Sequence, residues 1–133
     1  MSISIVNPTS LPTPRGFNHG IMTDGGQLLF LAGQDAGGAD GQIVGVGDIL
    51  KQTDQVLKNL QAVVVAANGE MSDIVKLNLY VTDRALYKSH LQPIGDIFRR
   101  FFGHYYPTMA LFEVKSLFQD DAIIEMEGIA VLH

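Results

Sequence analysis

Between Asp48 and Asp83 the hydrophobic period of the chain changes once, and that change restricts the fold more than any other feature. Ile49, Thr53, Val56, Leu60, Val63 and Ala67 make one stripe, with Leu57 and Val64 beside it, which is the spacing of an amphipathic helix. Asp48 stands where it can cap the start, and Asn68-Gly69 where a left-handed turn can end it. The next segment, SDIVKLNLYVTD, alternates instead, with Val75, Leu77, Leu79 and Val81 on one face and Lys76, Asn78 and Tyr80 on the other. That is the period of a strand. A helix with one apolar stripe next to a strand with one apolar face predicts a layered α+β protein.

The rest of the chain extends this plan. A second helix is expected to run to about Gly103; its clearest part is Pro93 to Phe102, with Ile94, Ile97, Phe98 and Phe101 inward and Pro93 in the first turn, where it would break a longer helix. Two strands, TMALFEV and AIIEMEGIAVL, close the chain. At the other end, prolines 8, 12 and 14 mark the first 15 residues as an extended arm with one short strand at Ile3–Val6. FNHGIMT and QLLFLAGQ flank Asp24-Gly25-Gly26, a pattern that predicts a hairpin. The glycine-rich stretch DAGGADGQIVGVG that follows reads as a loop. With 133 residues, no linker and no repeat of diagnostic period, residues 1–133 are expected to form one domain, a mixed sheet with two helices on one face.

The closing strand adds a requirement. Ile124, Met126, Gly128, Ala130 and Leu132 fit under the helices, whereas Ile123, Glu125, Glu127, Ile129 and Val131 form a second face too apolar for bare solvent. The expected cover is another copy of the same subunit, with ligand pockets at the seams. A carboxylate on such a face is costly to bury without a partner or a water, which singles out Glu125.

Composition narrows the function. There are no cysteines, which removes disulfides, thiolate nucleophiles and zinc-thiolate sites. The formal charge of −5 disfavours a nucleic-acid partner, and Arg99-Arg100, the only basic doublet, reads as a solvated helix edge. No apolar run approaches the roughly 20 residues of a membrane-spanning helix. The first residues lack a basic segment followed by an apolar block, so the expected location is cytoplasmic. The four histidines lack metal-ligand spacing, and GVGDIL from Gly45 supplies only part of a dinucleotide-binding glycine pattern. Neither a metal nor a cofactor is expected.

GFNHGI, LFLAGQDA, QVLKNLQAVVVAANGEMSDIVKLNLYVTD, FFGHYYPTMALFEV and IIEMEGIAV occur in an order and spacing that resemble the RidA/YjgF family, also called the endoribonuclease L-PSP family. The resemblance covers nearly the whole chain. It implies a chorismate-mutase-like α+β fold and a homotrimer whose sheets form a central barrel, with three small-molecule clefts between subunits. It also implies hydrolysis of reactive enamines or imines, such as 2-aminoacrylate, to 2-keto acids and ammonia. In the family pattern an arginine of a P-A-R strand clamps the substrate carboxylate, a glutamate in the last strand holds water, and an aromatic near the N-terminus closes the cleft.

Carried over, the strand is Pro107-Thr108-Met109, the glutamate is Glu125 and the aromatic is Phe17. Met109 replaces the arginine, Phe17 stands where tyrosine is usual, and Ala32 of LAGQ stands where serine often sits. Methionine supplies shape and polarisability but no directional, charge-assisted contact. The resemblance therefore implies a subgroup without the clamp, with Phe17, Ala32, Gly33, Met109, Ala110 and Leu111 lining a more apolar cleft and Glu125 as the catalytic group. Arg15 is the nearest basic residue to that cleft in sequence and a candidate substitute for the clamp, while Glu127 is expected to form an ion pair across the trimer. The alternative is a non-catalytic small-molecule-binding trimer. A ribonuclease reading follows only from the family's other name.

Overall fold

The computed structural model describes residues 2–133. Six strands and three helices follow one another: β1 (Ser2–Val6), β2 (Gly20–Asp24), β3 (Gln27–Gln34), α1 (Ile49–Ala66), β4 (Ile74–Val81), α2 (Arg84–Lys88), α3 (Leu91–Phe102), β5 (Thr108–Glu113) and β6 (Ile124–Leu132). A mixed sheet of order β3-β6-β4-β5 carries α1 and α3 on one face. This is the α+β sandwich expected from the change of period.

Local chemistry explains α1. The Asp48 carboxylate accepts from Leu50 N and Lys51 N, each at 3.0 Å, and Asn68 adopts φ 64° just beyond the helix. Val56, Leu57, Leu60 and Val64 are wholly buried against the sheet. So is Gln52, which is fully satisfied: its Nε2 donates to Gly45 O at 3.1 Å and Asp121 O at 2.9 Å, and its Oε1 accepts from Ile123 N at 3.0 Å. One side chain thus ties the glycine-rich loop to the entry of β6.

Three details depart from the sequence reading. The second helix is broken into α2 and α3, because Pro93 at the third position of α3 has no N–H to continue a longer helix; Phe102 is the more buried of the last two phenylalanines. A register shift between Ile74 and Lys76 puts Ile74, rather than Val75, in the core.

The third departure concerns the hairpin. β2 pairs with β1, from Ser2↔Asp24 to Val6↔Gly20, and the two form a separate ribbon instead of extending the main sheet through β3. Gly25 and Gly26 do take positive φ, 73° and 90°. Gly26, however, packs so closely on the end of β6 that a Cβ would lie 2.7 Å from Val131 Cγ1 and 2.8 Å from Leu132 O. The chain is turned across the sheet end there, and Val131 is covered by its own subunit. The remaining outer face stays open, with Phe30 70% and Leu28 62% exposed.

Candidate functional site

At the β5 edge the sheet and helices enclose a cavity of about 550 Å³. The parallel register Leu77↔Met109 and Leu79↔Leu111 turns Met109 and Leu111 toward the helix side. Tyr87, Ile94 and Phe98 face them from α2 and α3. Burial pushes the Tyr87 hydroxyl up to about 12, so it stays neutral. Ala110 also borders the cavity, although its pairing with Asn78 directs its side chain to the other face.

The arm supplies the lip. Asn18 N donates to Pro107 O at 3.1 Å and Asn18 Nδ2 to Tyr106 O at 2.6 Å, while Asn18 Oδ1 accepts from Asn7 Nδ2 at 2.8 Å. This clasp holds Phe17 and Arg15 against the Met109 cavity. Arg15 has no ion-pair partner among the described residues, whereas Arg99, also at the rim, pairs with Asp96. Sequence reasoning missed Asn18, Tyr87 and Arg99. The available signal was the stripe Leu91, Gly95, Arg99 beside the apolar face of α3, where Gly95 leaves open space in place of a side chain.

A second constellation is built by a bulge. β3 and β6 are in register at Leu31↔Gly128 and again at Gln34↔Met126, so Ala32 and Gly33 occupy the position of a single β6 residue. The bulge places Gly33 against the Glu125 side chain: a Cβ on Gly33 would stand 2.2 Å from Glu125 Oε1. Glu125 is half-buried and has no hydrogen bond or ion pair among the described residues. Burial first, then the Asp35 and Glu127 carboxylates, raise its carboxyl above the ordinary glutamate value. Asp35 is held close by Asn59, whose Nδ2 donates to Asp35 O at 3.0 Å and Gly37 O at 2.8 Å. Glu127 accepts from Tyr80 OH at 2.7 Å. That bond, followed by burial, raises the tyrosine hydroxyl as well. Among the described residues Glu127 has no ion pair, so the contact it makes within the chain is to Tyr80.

The residues singled out from the sequence thus fall into two groups. Phe17, Met109, Ala110 and Leu111 gather at the β5 cavity, joined by Arg15; Ala32, Gly33 and Glu125 gather at the bulge, on the far side of β4. Among the described residues no cluster of three His, Asp or Glu is placed to hold a metal ion, and no helix is long and apolar enough to cross a membrane.

Fold and site together define a small α+β protein with a cavity of small-molecule size at one sheet edge. The family model described as endoribonuclease L-PSP matches residues 9–132, and the chain belongs to that family, the RidA/YjgF proteins. It is 28% identical over 107 residues to the 2-iminobutanoate/2-iminopropanoate deaminase of Dermatophagoides farinae, covering 80% of each chain. Among solved structures it superposes on YyfB of the Rid family from Yersinia pestis with a TM-score of 0.89 at 32% identity, covering 99% of this chain and 100% of that one. E. coli TdcF with bound serine gives 0.69 at 29% identity, covering 98% and 99%. The family therefore includes reactive-intermediate deaminases.

Proposed function

We propose that this chain is a homotrimeric enamine or imine deaminase of the Rid type whose substrate is larger and more apolar than a small 2-imino acid. The observation that supports it best is Glu125, an unpartnered, half-buried carboxylate with a raised proton affinity, packed against the Gly33 bulge of β3. Such a group can hold a water, take its proton as the water attacks the imine carbon, and return that proton to the departing amine. The cavity fits the preference for bulk: its walls are Met109, Leu111, Ile94 and Phe98, and of the two arginines at its rim Arg15 is the one without an ion-pair partner among the described residues.

Because the two half-sites lie apart within one chain, a cleft between subunits is what unites them. One subunit provides the Met109 half, and its neighbour provides Glu125 and Gly33. The open, apolar outer face around Phe30 supports that assembly. The net charge of −5 argues against RNA as the substrate.

The test is imine decay in a coupled assay, with 2-aminoacrylate from a pyridoxal-phosphate lyase and bulkier imino acids from an amino-acid oxidase. Wild type should accelerate decay of the bulky imines, and Glu125→Gln should lose about 10² or more of that rate. Full activity in the variant would overturn the assignment. Met109 in place of a clamp favours a second reading, a non-catalytic binder, which would show saturable binding of the apolar acids without any acceleration.

A further inference from the structure

We infer that the β1–β2 ribbon is an exchange arm, which adds through the free edge of β2 to the free edge of β3 in a second copy of this chain. The ribbon is one two-stranded sheet on its own, and an isolated two-stranded ribbon is marginal in water. It is nonetheless rich in apolar groups left in solvent: Met22 is 62% exposed and Ile5 48%. The whole chain exposes 7698 Å², against about 6,900 Å² for a folded monomer of this mass, the excess expected of a projecting element.

The complementary surface lies in the same sequence. β3 is an edge strand of eight residues, paired on one side by β6 and on the other by nothing among the described residues. An unpaired apolar edge of this kind, regular from Gln27 to Leu31 before the bulge, templates an added strand. β2 and β3 are joined through two glycines with positive φ, the turn chemistry that would ordinarily close them into a hairpin. Here the Asn18 clasp draws the ribbon toward the opposite edge of the sheet, at Tyr106 and Pro107, so β2 cannot lie along its own β3. A strand pairing built into the sequence but withheld within the subunit is what exchange between identical copies restores.

YyfB, which matches over its whole length, supports the same course of the chain. TdcF aligns over nearly as much of the sequence yet superposes far less well.

Since the protein has no cysteine, the pairing can be trapped directly. In a two-residue hairpin register Thr23 lies opposite Leu28. Chains carrying Thr23→Cys and chains carrying Leu28→Cys, distinguished by tag length, are co-expressed, purified and treated with a short bismaleimide. Exchange gives a covalent heterodimer in most of the mixed complexes, and little when Thr23→Cys is combined with the exposed helix position Val65→Cys. The doubly substituted chain, Thr23→Cys with Leu28→Cys, should form linked oligomers rather than closed monomers. Closed monomers, equal cross-linking to Val65→Cys, or no cross-link at all would each overturn the inference.

Discussion

Met109 and Glu125 belong to the same sheet and face away from each other. Met109 is in register with Leu77 and turns toward the helices, while Glu125 is in register with Tyr80 and turns outward. One subunit therefore holds the Glu125 carboxylate, proposed to handle water, on one surface and the Met109 strand, proposed to shape the substrate pocket, on the other, and a change at either position should read out separately.

At Met109 the expected effect is a gain. The wild type lacks a charge-assisted clamp, so it should be a slow 2-aminoacrylate deaminase, roughly 10²-fold below what a clamp would allow. Met109→Arg should recover part of that difference for small imino acids and weaken turnover of bulky apolar ones. Met109→Arg combined with Glu125→Gln should recover nothing. Steady-state kcat/KM for the three proteins on both substrate sizes checks this, and fast wild-type turnover of 2-aminoacrylate would assign the clamp to Arg15.

Glu125 should also couple stability to pH. Its carboxyl is raised in the folded state by burial and by the Asp35 and Glu127 carboxylates, so between its ordinary and its raised value the folded chain binds more protons than the unfolded one. The contribution of this residue to stability therefore falls as pH rises through that window. Glu125→Gln should melt above wild type at pH 7, with the gap closing toward pH 4. Thermal unfolding followed by circular dichroism at a series of pH values checks it.

Gly33→Ala separates position from presence. The new methyl meets only the end of a flexible side chain, so stability should change by about 0.5 kcal/mol or less. The displaced carboxylate should nevertheless cost about tenfold or more in kcat, since misplacing a catalytic group by an ångström is expensive. An unchanged kcat would show that Glu125 does not act from the place the bulge gives it.

Gln52→Leu tests the tie between the loop and β6. The substitution keeps the bulk but leaves Ile123 N–H and the Gly45 and Asp121 carbonyls without their partner. The expected loss is about 3 kcal/mol, as for buried polar groups left unpaired. Urea unfolding should show a lower midpoint with an unchanged slope.

The sequence alone determined the elements and their layering. Periodicity is a local property, so the stripe of α1, the alternation of β4 and the two faces of β6 could be read residue by residue, and so could the cap at Asp48. The motifs around Phe17, Gly33, Met109 and Glu125 marked the residues of interest for the same reason, because each is a short, contiguous pattern. Only the tertiary structure decided which of them meet. Whether Phe17 reaches Met109 depends on the Asn18 clasp to Tyr106, a contact between residues 88 positions apart, and no local period encodes it. The bulge that seats Gly33 on Glu125 depends on a register shift between two strands distant in sequence. The hairpin expected at Gly25-Gly26 failed for a related reason: turn chemistry permits a pairing, but the packing of Gly26 on Val131 and the pull of the clasp decide which strand β2 actually joins.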